Sequence, residues 1–152
     1  MSKIQFTQER PDSPEAQTLI RELDRHLTAR YPIEARHGLS VARLVEDEEA
    51  FFILRYAGLP VGCGGVMCFG KEYVELKRMY VRPSYRGMGL GRALVKHLKT
   101  YAQTQGIHIV RLETGIHQES AIQLYKRMGY RKIPPFGVYQ AGPLNLIYEK
   151  SI

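Results

Sequence analysis

Leu19, Ile20, Leu23 and Leu27 recur at helical spacing behind Asp12-Ser13-Pro14-Glu15, which supplies a capping side chain, a proline in the first turn and an early acid. The stripe predicts a helix running to about Tyr31, where Pro32 stops it. Residues 37–48 carry no clear period, and a short helix around 41–45 is one reading of them. Residues 51–56 and 61–69 are apolar runs on either side of Ala57-Gly58-Leu59-Pro60, the signature of a hairpin. Residues 72–81 predict a third strand. A second helical stripe follows at Leu90, Ala93, Leu94, Leu98, Tyr101 and Ala102, ended by Gly106. Residues 107–112 predict a strand. Residues 118–128 predict a helix with Ala121, Leu124, Tyr125 and Met128 on one stripe, closed by Gly129. Short strands at 130–133 and 144–150 complete the order, separated by Pro134-Pro135-Phe136-Gly137. The pattern is that of a mixed α/β sheet.

A chain of 152 residues fits one domain over 1–152 and is long enough to bury a core. Its apolar and charged fractions, 44% and 24%, are those of a soluble globule. No apolar run approaches the ~20 residues of a membrane span, and the first residues lack the apolar stretch of a signal peptide. The expectation is a cytoplasmic protein with no membrane partner. Cys63 and Cys68 share a predicted strand over residues 59–69. Five residues along a strand is roughly 16 Å and an odd offset, so the two cannot bridge each other, and they read as two buried free thiols.

The net charge of +7 is unevenly placed. Between Lys71 and Arg111 nine Lys or Arg stand against Glu72 and Glu75 alone, which equals the whole excess. A basic surface serves nucleic acid, lipid or a small polyanion. No nucleic-acid motif is present, so nucleic acid is disfavoured. The charge clusters around a glycine-rich loop, which favours the polyanion.

That loop is Arg86-Gly87-Met88-Gly89-Leu90-Gly91-Arg92, placed after Arg82-Pro83-Ser84-Tyr85 and before a helix. A first helical turn has N–H groups without partners and a partial positive charge. Glycines let a pyrophosphate approach that backbone, and Arg86 and Arg92 add charge-assisted bonds. A glycine-rich turn that only permits close strand–helix packing is the bland alternative. A Walker loop would end in Gly-Lys-[Ser/Thr], whereas Gly91 is followed by Arg92-Ala93. A Rossmann fingerprint would need glycine at 92, and its strand would open a βαβ unit.

Residues 75–130 resemble the core of the GNAT superfamily of N-acetyltransferases. The signature [Gln/Arg]-x-x-Gly-x-[Gly/Ala] is matched by Arg86, Gly89 and Gly91, behind a strand ending in Val81-Arg82-Pro83. A second motif is matched by Ala121, Leu124, Tyr125, Gly129 and Tyr130, with Gln118 standing where the family has asparagine. The resemblance implies a single-domain α/β fold. Its mixed, mostly antiparallel sheet would hold a central splayed pair of parallel strands, here 72–81 and 107–112, flanked by helices. It also implies acetyl transfer from acetyl-CoA to a primary amine of a small molecule or protein, by direct attack and without a metal. A non-catalytic acyl-CoA-binding module is the alternative, and a homodimer is compatible with the family.

The implied acetyl-CoA contacts are Met79, Tyr80 and Val81 on the strand, Arg86, Gly87, Met88, Gly89, Leu90, Gly91 and Arg92 in the loop, and Tyr125. The backbone N–H near Val81 would polarise the thioester carbonyl. Tyr125 is the candidate general acid, against a plain core tyrosine on its stripe. An amine of pKa ~10.4 needs a base at pH 7. Glu75 is favoured because its strand also carries Val81, against a solvent-facing acid paired with Lys77. Glu113 is the rival, at the end of the other strand, against a loop acid paired with Arg111. His117 is a candidate proton shuttle. Tyr31, His37, Phe136 and Tyr139 are candidate walls of the acceptor site.

Overall fold

The computed structural model describes residues 3–29, 49–135 and 144–152. In chain order the elements are β1 Ile4–Gln8, α1 Pro14–Thr28, β2 Ala50–Tyr56, β3 Leu59–Phe69, β4 Tyr73–Val81, a 3₁₀ turn Pro83–Tyr85, α2 Leu90–Thr104, β5 Ile109–Gly115, α3 Glu119–Arg127, β6 Arg131–Ile133 and β7 Asn145–Ser151. The strands form one seven-stranded sheet in the order β1-β2-β3-β4-β5-β7-β6. Every neighbouring pair is antiparallel except β4 with β5, so the sheet is mixed, mostly antiparallel, and holds one central parallel pair.

The helices pack on opposite faces. Leu90, Leu94, Val95, Leu98 and Ala102 of α2 and Tyr125 of α3 share a core with Leu54, Val61, Val66, Val74, Leu76, Val110 and Leu112 of the sheet. Gly64 allows α2 this close: a Cβ there would stand 2.9 Å from Leu98 Cδ1. On the other face Ala16, Leu19, Ile20 and Leu23 of α1 pack on Phe51, Ile53, Cys63 and Tyr80. Each large aliphatic residue buried in this way contributes about 2 kcal/mol. Ser13 caps α1, its Oγ accepting from Ala16 N at 3.2 Å.

Some expectations need correction. The sheet begins one strand earlier than the pattern predicts. Ile4 and Phe6 of β1 pack on the α2 side while Gln5 between them does not, a short alternation easily passed over at an edge. Phe6 stacks on the His97 ring at 4.1 Å, and Phe52 meets the same ring edge-on at 4.6 Å. Burial lowers the His97 pKa, which keeps the imidazole neutral as an aromatic plate. Strand β5 runs over 109–115 rather than 107–112. Ile107 N instead bonds Ala102 O to finish the α2 terminus, and β7 recruits Glu113, Thr114 and Gly115 into pairing. Helix α1 ends at Thr28; Tyr31 lies outside the described residues. Both cysteines are free, but Cys68 is exposed near the β3 terminus and only Cys63 is buried. No described helix is long and apolar enough to cross a membrane.

Candidate active site

Strands β4 and β5 stay together only briefly. They pair at Val74↔Val110, Glu75↔Arg111 and Leu76↔Leu112. Past that point β4 continues to Val81 bonded to β3, and β5 continues to Gly115 bonded to β7. Two strand edges therefore face each other without pairing, along 77–81 and 113–115. Unpaired edge N–H and C=O groups in the middle of a sheet form a slot for an extended chain that carries its own amides.

A bulge accompanies the parting. Opposite β3, Gly65 pairs with Lys77 and Cys63 with Tyr80, so β4 carries one extra residue there. Arg78 takes φ 54°, a left-handed conformation costing a non-glycine residue about 1–2 kcal/mol. The insertion flips the alternation beyond it. Met79 and Val81 pack with the α2–α3 core, while Tyr80 joins the α1 cluster. The Tyr80 side chain donates to Glu22 Oε1 at 3.1 Å, and the Tyr80 carbonyl lies against β3, 2.6 Å from where a Cβ at Gly62 would stand.

The glycine loop stands just past the β4 terminus. Gly89 is the N-cap of α2 with φ 78° and Gly87 has φ 80°, values suited to glycine. The first helical bond runs from Ala93 N to Gly89 O at 3.1 Å, so the N–H groups of Leu90, Gly91 and Arg92 have no carbonyl within the helix. A Cβ at Gly87 or Gly89 would meet nothing within 4 Å, and one at Gly91 would touch Leu124 Cδ2 at 3.4 Å. The first two glycines thus border open space and do not serve tight strand–helix packing. Arg86 folds back, its Nε donating to Val81 O at 2.9 Å, and Met88 is exposed. Arg92 is exposed on the first turn of α2. These features fit the pyrophosphate of acetyl-CoA.

Tyr125 is buried on α3, and its hydroxyl lies 3.9 Å from Met79 Sδ, on the parted segment of β4. Tyr130 and Tyr148 flank it at 5.9 and 6.4 Å between ring centroids. Burial raises its pKa far above that of an ordinary phenol, so the hydroxyl remains a proton donor at any physiological pH.

The carboxylates lie on the other face, because their neighbours Val74, Leu76 and Leu112 point into the α2–α3 core. Glu75 is not solvent-facing: it is 3% exposed and bonded to Lys77 Nζ at 3.0 Å. It also stands within the paired part of β4. Glu113 is half-buried, the first β5 residue beyond the last β4 pair. Arg111 pairs with Glu149 at 2.8 Å, and Arg131 reaches the same Glu149 at 3.1 Å. His117 is exposed before α3. Gln118 Oε1 lies 3.5 Å from His26 Nε2 at the α1 terminus. His37, Phe136 and Tyr139 lie outside the described residues, like Tyr31.

Sequence reasoning missed what α1 does. Glu22 accepts from Arg82 Nε at 3.0 Å and Nη2 at 2.8 Å, and Arg82 Nη1 donates to Pro60 O at 2.9 Å. Asp24 bonds the Arg78 guanidinium. On the sequence both acids read as ordinary solvent-facing helix residues, and nothing marks Arg78 as a bulge.

Comparison with known proteins agrees with this fold. Residues 10–130 match the Acetyltransferase (GNAT) family. An IAA acetyltransferase from Azospirillum brasilense is 36% identical over the full length of both chains. A solved structure from Klebsiella pneumoniae, provisionally named an acyl-CoA N-acyltransferase, superposes with a TM-score of 0.81 at 32% identity, covering 97% of each chain. A GNAT family acetyltransferase from Elizabethkingia anophelis, solved with acetyl-CoA bound, shares the fold across both chains at a TM-score of 0.74 and 16% identity. With the family matched over most of its length and a full-length relative beside it, this chain belongs to the GNAT acetyltransferases and is an acyltransferase.

Proposed function

We propose that the protein transfers an acetyl group from acetyl-CoA to a primary amine of a small molecule or protein, by direct attack of the amine on the thioester. The observation that carries the proposal is the parting of β4 and β5 beyond Leu76↔Leu112, with the Tyr125 hydroxyl beside Met79 on the parted segment. Bound acetyl-CoA supplies an activated acyl group. Its pyrophosphate would be held by the N–H groups of residues 87–92 with Arg86 and Arg92, and its amide-bearing arm by the edges of 79–81.

The chain's own groups handle protons. Deprotonating an amine of pKa ~10.4 at pH 7 costs about 4.6 kcal/mol, and a carboxylate in reach of the amine offsets part of it. Glu113 is the better-placed base, because it stands on the parted segment of β5, whereas Glu75 is buried in the paired segment against Lys77. As the C–N bond forms and the C–S bond breaks, Tyr125 gives its proton to the leaving thiolate. Burial keeps that hydroxyl protonated until the thiolate forms beside it. The N–H groups near Val81 would stabilise the developing oxyanion. Two free thiols agree with a reducing compartment, and we place the reaction in the cytoplasm.

The test is a screen of amine acceptors with acetyl-CoA, following release of free CoA. IAA joins the panel because the Azospirillum relative carries that name. Acceptor-dependent CoA release at neutral pH is expected. Tight acetyl-CoA binding with no turnover across primary, secondary and aromatic amines would leave only an acyl-CoA-binding module.

A further inference from the structure

The bulge on β4 raises a question of residue choice. Left-handed backbone inside a strand is ordinarily given to glycine, yet position 78 holds an arginine at φ 54°. Its side chain accounts for the choice. The guanidinium is almost fully covered and bonded to Asp24 of α1. The Arg78 carbonyl in turn accepts from Cys63 Sγ at 3.3 Å, and burial pushes that thiol's pKa up to about 12, so it stays a donor. The extra residue is thus held from two sides, by helix α1 through its side chain and by β3 through its carbonyl.

What the bulge controls is the direction of its successors. In a regular strand Met79 would face α1 and Tyr80 would face α3. With the insertion, Met79 lies over Gly64, its Cγ 3.5 Å from where a Cβ there would be, and its sulfur meets the Tyr125 hydroxyl. Tyr80 meets Glu22 on α1. Two acids two residues apart on α1, Glu22 and Asp24, therefore grip β4 on both sides of Met79.

We infer that Arg78, through its ion pair with Asp24, is a positioning residue for acetyl transfer: it locks the bulge that aims Met79, and with it the Tyr125 hydroxyl, into the gap between β4 and β5. The inference rests on the general-acid role proposed for Tyr125. It also ties α1 to the cofactor side of the sheet, although α1 packs on the opposite face.

A double-mutant cycle separates this role from plain stability. Arg78→Gly keeps the left-handed backbone accessible and removes the anchor. Arg78→Lys and Asp24→Asn weaken the pair without deleting it, and serve if the glycine variant fails to fold. The expected result is a kcat about tenfold lower for Arg78→Gly, with KM for acetyl-CoA changed by less than about threefold because the loop at 87–91 is untouched. Arg78→Lys should recover part of the loss. In a Tyr125→Phe background the same Arg78 substitutions should cost almost nothing further. Losses that multiply independently in the two backgrounds, or wild-type kcat in Arg78→Gly and Asp24→Asn alike, would overturn the inference. Wild-type turnover in Tyr125→Phe alone would instead remove the acid role on which it rests, a distinct outcome of the same cycle.

Discussion

The two faces of the sheet are held by different forces. On the face under α2 and α3, Leu90, Leu94, Leu98, Val110 and Leu112 interlock as an apolar core, and at the parted strands the Tyr125 hydroxyl lies on a methionine sulfur. On the other face ion pairs recur along the strands: Arg82 with Glu22, Arg78 with Asp24, Lys77 with Glu75, and Arg111 and Arg131 with Glu149. In the proposed reaction the apolar face would present a fixed backbone and a neutral acid to the thioester. The charged face would present carboxylates and cations to the acceptor. That division would place the proton-donating step on the dry side and the proton-removing step on the polar side.

The sharpest way to break this comparison is Tyr125→Phe. Phenylalanine fits the same stripe and gives up one weak contact to sulfur, so the melting temperature should hardly move. Turnover should fall roughly 10²-fold, the scale for losing a general acid. A phenylalanine variant with wild-type kcat would make Tyr125 a core tyrosine and nothing more. The carboxylates come next. Glu113→Gln should lower kcat/KM by on the order of tenfold or more at neutral pH and recover as pH rises, where the free amine needs no base. Glu75→Gln should leave the pH profile unchanged and lower stability, because it removes the partner of a nearly covered lysine. The opposite pattern would return the base to Glu75.

The smallest effect lies in the α1 grip. Hydrogen bonds from Arg82 hold the Glu22 carboxyl below its ordinary value near 4.5. A carboxylate whose pKa is depressed by folding adds stability above its unfolded pKa and loses it as pH falls through the folded one. Glu22→Gln should therefore cost about 1 kcal/mol at pH 7, and the gap to wild type should close below pH about 4.5. Thermal melts across pH measure this; a gap that stays constant into acid would show that Glu22 acts by shape alone.

The cofactor side was largely legible in the sequence, because its determinants are local. Arg86 to Gly91 are contiguous in the sequence, running from a loop into the first turn of α2, and the stripes Leu90-Leu94-Leu98 and Leu124-Tyr125-Met128 follow helical period. The α1 side was not, because its determinants join distant positions. Asp24 meets Arg78 and Glu22 meets Arg82 across more than fifty residues, and no local pattern announces either pair. The bulge was equally hidden: Lys77-Arg78-Met79 reads as ordinary strand, and only the register against β3 reveals the added residue. Strand β1 escaped for a milder reason, since Ile4 and Phe6 alternate over too few residues to stand out from a terminus.

The central claim is that the slot between β4 and β5, with the loop beyond it, receives acetyl-CoA. Backbone amide shifts during titration with acetyl-CoA test it most directly in a chain of 17.4 kDa. The account predicts the largest changes at Gly87, Met88, Gly89, Leu90, Gly91 and Arg92, then at Met79, Tyr80 and Val81, with smaller ones along α1. Saturable binding whose largest shifts fall elsewhere, with the amides of 87–92 unmoved, would contradict it.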